Sequence, residues 1–152
     1  MPVRSFKQLV VGVSLLAATS AFAAPFTFDV AGVRSIGTIG SEGNDVYEIN
    51  VGANATITSV NYDFNVTALF PSYLSEMGFA FTNSGLTNGL QLNPDIDLTR
   101  SGTETFAGML DLVAEGLSFS VDADGILRLE FYEDFNDSGI SPDGVWNFGT
   151  IT

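Results

Sequence analysis

The residues best able to do chemistry are oxygen donors crowded into one stretch near the C-terminal end. This stretch contains Glu133, Asp134, Asn136, Asp137 and Asp143. Carboxylate and amide oxygens are the ligands that Ca²⁺ prefers in proteins. The stretch follows an alternating apolar segment and precedes an aromatic one, which predicts a calcium site in the loop between two strands.

Part of this stretch matches a known ion-binding turn. The run from Asp134 to Gly139 has oxygen donors at alternate positions and then a glycine, as in the first half of an EF-hand loop. Val145 stands where that loop has a bidentate Glu, and no helix pattern flanks it, so an EF-hand is excluded. The alternative is a solvated loop whose Asp and Asn side chains stabilise turns. The predicted ligands are Asp134, Asn136 and Asp137, with Glu133, Asp143 and Glu76 completing the shell.

Glu76 lies among apolar neighbours, in the run from Leu74 to Phe79. A carboxylate in such surroundings is expected to be partly buried, and a buried carboxylate needs a partner. The sequence leaves four partners open, namely an ion, Arg34, Arg100 or backbone N–H groups.

The first 23 residues have the composition of a secretory leader. Arg4 and Lys7 form a basic head, an apolar run covers residues 9–18, and Ala21-Phe22-Ala23 supplies the small-x-small cleavage pattern. The apolar run is shorter than the roughly 20 residues that span a bilayer. We therefore expect a signal peptide at residues 1–23. Residues 24–152 are expected to form one exported domain in the periplasm, at the cell surface or outside the cell, without a membrane span.

The predicted mature chain is strongly acidic and lacks the usual catalytic side chains. It has three arginines against 18 Asp and Glu residues, a formal net charge of −15, with no His and no Cys. Such a charge disfavours nucleic acid as a partner. Without imidazole or thiol groups, a His-based triad, a thiol nucleophile and an ordinary zinc site are excluded.

Apolar and polar residues alternate in short segments along the whole chain, which is the period of half-buried strands. The clearest segment runs from Thr56 to Leu69, where Val60, Tyr62 and Phe64 share one face. Such segments recur at spacings of roughly ten residues, separated by turn residues. The pattern predicts an all-β fold, a single antiparallel β-sandwich of about eight to nine strands with a jelly-roll arrangement.

Two local features follow from this pattern. Ile57 is out of phase with Val60, which predicts a bulge or bend near Thr58-Ser59. The sequence Ala123-Asp124-Gly125 predicts a tight hairpin between the strands on either side, because glycine supplies a positive φ.

The last two strands are expected to have simple inward and outward faces. Between residues 127 and 131 the odd-numbered residues are apolar, so Arg128 and Glu130 are predicted to face outward. By the same period, Trp146 and Phe148 are predicted to share one face of the final strand.

Several segments resemble a group of small exported bacterial proteins, many of which carry a PEP-CTERM sorting tail. No Pro-Glu-Pro and no C-terminal apolar helix follow in this sequence. The resemblance implies a surface or matrix location, with extracellular polysaccharide or other surface proteins as partners. It covers most of the chain after the leader and rests on Ser59-Val60-Asn61-Tyr62-Asp63, Ser72-Tyr73-Leu74-Ser75-Glu76-Met77, Ile126-Leu127-Arg128-Leu129-Glu130-Phe131, Asp143-Gly144-Val145-Trp146 and Gly149-Thr150-Ile151-Thr152.

A second, more distant resemblance concerns the P-domain of proprotein convertases. The long strand followed by residues 74–81, and the acidic loop before Trp146, are similar to that domain. The resemblance implies a calcium-stabilised jelly-roll without catalysis of its own.

Three classes of function fit these observations. The first, which we expect, is an exported non-catalytic module. The second is a carbohydrate-binding module, for which sugar-stacking aromatic residues are required. The third is a small glycosidase with two carboxylates about 5 to 9 Å apart in a cleft, for which a chain of this length leaves little room. For the second class, the candidate aromatic platforms for a sugar ring are Tyr47, Phe70, Tyr73, Tyr132 and Trp146.

Overall fold

The computed structural model describes residues 25–137, 139 and 141–152. Within those residues the chain forms eleven β-strands and one short 3₁₀ helix, which confirms the all-β prediction. The predicted leader, residues 1–23, and Ser138 of the predicted ion loop lie outside the described residues. No helix in the described part of the chain is long and apolar enough to cross a membrane.

The strands belong to two large sheets and one small sheet. Sheet 1 contains β1 (Phe28–Asp29), β2 (Arg34–Ser35), β5 (Ser59–Ala68), β8 (Gly102–Asp111) and β11 (Gly144–Ile151). Sheet 2 contains β3 (Val46–Asn50), β6 (Met77–Asn83), β7 (Gly89–Leu92) and β10 (Ile126–Glu133). The small sheet pairs β4 (Thr56–Ile57) with β9 (Phe119–Ser120), and the 3₁₀ helix (Leu74–Glu76) directly precedes β6.

The strand order is that of a jelly-roll. Sheet 1 has the order β1-β11-β5-β8, sheet 2 has the order β3-β10-β6-β7, and these neighbours pair antiparallel. Apart from the β6–β7 hairpin, the long strands from β3 onward alternate between the two sheets. This winding forms two Greek keys around one core.

The core lies between the two large sheets and is built from residues that the period of two directs inward. Phe64 of β5 packs edge-on against Phe79 of β6, with ring centroids 5.9 Å apart. Phe131 of β10 and Trp146 of β11 are 4.9 Å apart. Each of these side chains is buried, and burying one large apolar side chain contributes roughly 1.5–3 kcal/mol. These contacts hold the two sheets face to face.

The strand predicted from Thr56 to Leu69 is divided at Thr58, as the phase of Ile57 predicted. β4 pairs with β9, whereas β5 pairs with β8 and β11. Ile57 and Val60 are both buried, so the break lets the inward phase slip by one residue.

The turn at residues 122–125 forms, but the hairpin prediction was wrong. Gly125 has a φ of +75°, and its N–H donates to the carbonyl oxygen of Asp122 at 3.0 Å. However, β9 pairs with β4, while β10 pairs with β3 and β6. A tight turn is a local feature, and which strands pair is decided by packing of the whole sandwich.

The prediction that Trp146 and Phe148 share a face was also wrong, because β11 contains a β-bulge. Trp146 lies opposite Val66 and Phe148 lies opposite Asn65, so Asn147 is an extra residue on β11. Trp146 is fully buried, whereas Phe148 is 59% exposed. The bulge therefore directs two successive residues, Asn147 and Phe148, to the outside.

Candidate metal centre

Two acidic side chains lie in the interior at one end of the sandwich. Glu133 ends β10 and has the same inward phase as Leu129 and Phe131, while Asp143 directly precedes β11. Both residues are 0% exposed. Because β10 belongs to sheet 2 and β11 to sheet 1, the two carboxyl groups stand where the chain passes between the sheets.

Backbone hydrogen bonds fix both residues. The N–H of Glu133 donates to the carbonyl oxygen of Gly37 at 3.1 Å. The N–H of Asp143 donates to the carbonyl oxygen of Ser35 at 3.0 Å. The N–H of Leu69 donates to the carbonyl oxygen of Asp143 at 2.8 Å. Residues in or next to the strands therefore hold the backbones of Glu133 and Asp143 in place.

The carboxyl oxygens of Glu133 and Asp143 have no hydrogen-bond donor among the described residues. The Asp143 carboxyl lies within hydrogen-bonding reach of Glu133, and burial followed by the Asp143 hydrogen bond and charge raises the pKa of Glu133 to about 10. Two bare carboxylates in a dry interior are very costly. At neutral pH the pair must therefore hold either a shared proton or a cation.

Glu76 lies beside this pair at the end of the 3₁₀ helix and is partly buried. Its Oε2 accepts a hydrogen bond from the N–H of Tyr73 at 2.8 Å, so one of the predicted partners, a backbone N–H, is confirmed. Burial raises the pKa of Glu76 against the effect of that hydrogen bond, and the charges of Asp137, Asp134 and Asp143 raise it further. Glu76 thus belongs to the same electrostatic cluster.

The arginines of the described residues are engaged elsewhere, including the two considered as partners for Glu76. Each forms an ion pair with an acidic residue outside this cluster, so the cluster is not neutralised by them. The pairs are Arg34 with Asp45, Arg100 with Glu104, and Arg128 with Glu130.

The loop residues that carried most of the predicted site surround the buried pair rather than form its centre. Asp137 is half-buried, and its Oδ2 accepts a hydrogen bond from the hydroxyl of buried Ser72 at 2.9 Å. Asp134 and Asn136 are exposed. Asp134 accepts from the Asn93 amide at 2.9 Å, and the Asn136 amide donates to a backbone carbonyl at 3.3 Å.

Among the described residues, no three acidic side chains are arranged as a complete ion site. Glu133 and Asp143 supply the only carboxyl pair there that is both fully buried and without donors. Ca²⁺ takes six to eight oxygens, so an ion bound at this pair would also need backbone carbonyls and a rotated Asp137 or Glu76 side chain as ligands.

Another buried carboxylate, that of Glu130, has both hydrogen-bond donors and an ion-pair partner. It lies on the outer face of β10 as predicted, but the loop between β2 and β3 covers it, so it is 0% exposed. Its carboxylate accepts from the N–H of Gly40 at 2.6 Å and from the Asn44 amide at 2.8 Å, and it pairs with Arg128. No local pattern around Glu130 indicates this cover.

The aromatic residues predicted as sugar platforms do not form one surface. Trp146 and Tyr132 are buried, and the Tyr47 ring packs against that of Phe28 at 4.5 Å. Phe70 and Tyr73 are 81% and 42% exposed.

Comparison with protein-family models, with curated proteins and with solved structures gave no match.

Proposed function

We propose that the chain is an exported, non-catalytic β-sandwich module that is stabilised by Ca²⁺ bound at Glu133 and Asp143. The observation that carries the proposal is the buried pair of carboxyl groups without a donor. Export is supported by the leader pattern of residues 1–23, and a surface or matrix location by the resemblance to PEP-CTERM proteins.

A cation explains the pair better than a shared proton for two reasons. The fold neutralises Glu130 with Arg128 and two N–H donors, whereas the part of the chain that the structure describes gives Glu133 no such donor. Further acidic side chains, Glu76 and Asp137, lie near enough to act on Glu133 electrostatically. Carboxylates gathered around a site that lacks basic residues repel one another and attract a cation.

The ligand chemistry favours Ca²⁺ over other ions. The cluster offers oxygen atoms only, and the chain has no His or Cys for zinc. Ca²⁺ accepts irregular shells of mixed carboxylate and carbonyl oxygens, whereas Mg²⁺ demands a near-ideal octahedron and keeps several waters. A fully buried pair, with Glu133 at the end of β10 and Asp143 just before β11, suits an ion that does not need those waters.

The ion would act as a link between the two sheets. Glu133 is the last residue of β10 and Asp143 precedes β11, so one ion fastens both ends of the connecting loop. At a free Ca²⁺ concentration 100 times the dissociation constant, binding adds about 2.7 kcal/mol to the free energy of unfolding.

The burial of this pair also supports a non-catalytic role. A glycosidase needs two carboxyls that flank the scissile bond of a bound sugar, and the 0% exposure of Glu133 and Asp143 keeps substrate away from them. Two surface cavities, of about 150 Å³ and 410 Å³, are lined by residues with uncharged side chains.

The test is thermal unfolding in millimolar Ca²⁺ and in chelator. We expect Ca²⁺ to raise the midpoint of the native chain, and the double variant Glu133→Gln, Asp143→Asn to lose that response. Glu115→Gln is the matched control, since it removes one charge from an exposed turn after β8.

In chelator the double variant should be at least as stable as the native chain, because the two amides can hydrogen-bond to each other. The proposal would be overturned if Ca²⁺ did not change the midpoint of thermal unfolding of the native chain, or if it raised that of the double variant as well.

A further inference from the structure

The outer face of sheet 1 carries a connected row of uncharged polar side chains, which we call the polar row. It crosses three neighbouring strands, β11, β5 and β8. The Asn147 amide donates to Asn65 Oδ1 at 2.7 Å and to Thr67 Oγ1 at 2.9 Å. The Asn65 amide donates to Thr105 Oγ1 at 2.9 Å, and the Thr67 and Thr103 hydroxyls share a hydrogen bond of 2.7 Å.

These hydrogen bonds hold in place side chains that would otherwise move freely at the surface. A ligand that binds them avoids much of the entropy cost of ordering them. Spare hydrogen-bonding capacity also remains. Each Thr hydroxyl can donate once and accept twice, and the Asn65 amide has a second N–H beyond the one given to Thr105. The polar row therefore suits a ligand rich in both donors and acceptors.

An exposed aromatic ring lies beside the polar row. The bulge in β11 directs Asn147 and Phe148 outward together, and Phe148 lies opposite Asn65 in the sheet register. The bulge depends on Gly149, which has a φ of +117° and whose added Cβ would lie 2.5 Å from Phe64 Cα. Bulges of this kind re-aim side chains and are frequent at functional sites.

The charge of this surface favours a neutral ligand over an anionic one. The chain has a formal net charge of −13, and the polar row together with Phe148 is uncharged. An anionic ligand would find no cation in the row and would be repelled by the protein as a whole. A neutral sugar chain offers hydroxyl donors and acceptors, and its ring has an apolar face that can stack on an aromatic side chain.

We propose that the outer face of sheet 1 binds a neutral polysaccharide, with one sugar ring stacked on Phe148 and neighbouring hydroxyls bonded to the polar row. This site is separate from the buried carboxyl pair and does not depend on the proposed ion. It is also distinct from the aromatic residues that the sequence pattern favoured as platforms.

Native gels that contain one soluble neutral polysaccharide each (a glucan, a xylan, a mannan or a galactan) provide the test, all with Ca²⁺ present. We expect at least one of them to retard the native chain. Phe148→Ala should weaken that binding about tenfold, which corresponds to about 1.4 kcal/mol. Phe135→Ala is the matched control, since it removes a Phe of similar exposure, 60%, from the loop that follows β10 of sheet 2.

Thr67→Val provides a second variant, because it removes a hydroxyl from the row with little change of volume. It should also weaken retardation, while circular dichroism shows the fold unchanged. The proposal is overturned if none of the four polysaccharides retards the native chain, or if Phe148→Ala binds as the native chain does. Light scattering that shows a native dimer dissociated by Phe148→Ala would assign the face to a second copy of the chain instead.

Discussion

Glu130 and Glu133 lie three residues apart on β10 and are both 0% exposed, but their carboxyl groups have opposite kinds of neighbour. Glu130 accepts hydrogen bonds from Gly40 and Asn44 and pairs with Arg128. Within the described residues, the Glu133 carboxyl meets only another carboxyl, that of Asp143. The first arrangement is complete within the protein, and the second requires something from solution.

Replacing Glu130 should destabilise the protein whether or not Ca²⁺ is present. Glu130→Ala leaves the partly buried Arg128 without its ion-pair partner. It also leaves the Gly40 N–H and one N–H of the Asn44 side-chain amide without an acceptor. Removing one partner of a buried ion pair costs about 3–5 kcal/mol. Urea unfolding in Ca²⁺ and in chelator measures this loss.

Glu133→Gln is the informative comparison for that experiment. In chelator it should cost little or even stabilise, because it removes a buried carboxyl that lacks a donor. Equal losses for the two variants in chelator would show that Glu133 has a partner that the geometry does not reveal.

The acidic residues around the proposed ion should contribute to Ca²⁺ affinity in an order set by burial. Asp143→Asn should abolish the response to Ca²⁺, Asp137→Asn should weaken it, and exposed Asp134→Asn should change it least. The reason is that charges in a dry site interact strongly, whereas exposed charges are screened by water and salt. Calorimetric titration of each variant with Ca²⁺ gives the ranking, and an Asp134 effect as large as that of Asp143 would refute it.

The metal-free protein should lose stability as the pH rises. The pKa of Glu133 is raised from 4.5 to about 10 by burial and by Asp143. Below about pH 4.5 the group is protonated in both the folded and the unfolded states. Above that pH only the unfolded state releases the proton, so the contribution to stability is lost progressively up to the folded pKa.

Thermal midpoints in chelator, measured from pH 5 to pH 9, check this dependence. Subtracting the same curve for Glu133→Gln removes the general effect of the other acidic residues. A difference curve that stays flat would contradict the raised pKa. Added Ca²⁺ should reverse the trend, since the ion binds the deprotonated carboxyls.

The period of two was enough to predict the fold, but it could not show what covers a strand. It predicted the β-sandwich, the shared face of Val60, Tyr62 and Phe64, and the break at Thr58. The outward position of Glu130 was also predicted, but its burial depends on a loop some 90 residues earlier in the chain, at Gly40. Burial by a distant loop leaves no local pattern.

Within the candidate site, the cluster of oxygen donors could be predicted from the sequence, but the buried pair at its centre could not. The cluster of oxygen donors drew attention to the loop, and Glu133 and Asp143 were named among its ligands. The signal that sets Glu133 apart was present in the sequence, because it continues the inward phase of Leu129 and Phe131. Asp143 has no such signal, since its burial follows from pairing with Ser35 and Leu69 across the sheet.

The bulge in β11 should be unusually sensitive to substitution at Gly149. Its φ of +117° is rarely adopted by other residues, and an added Cβ would overlap the backbone of Asp63 and Phe64. We expect Gly149→Ala to cost at least about 2 kcal/mol, from backbone strain and from that overlap. Because relaxation of the bulge would turn Phe148 away from the polar row, any retardation by neutral polysaccharide should weaken as well.

Gly116→Ala separates these two contributions to the cost. Gly116 also has a positive φ, of +70°, but an added Cβ there would meet nothing within 4 Å. It should cost only the backbone strain, about 1–2 kcal/mol, and should leave the outer face of sheet 1 unchanged. Urea unfolding of both variants makes the comparison. If Gly149→Ala were no more costly than Gly116→Ala, the backbone of β5 would be able to move aside, and the bulge would not fix the position of Phe148.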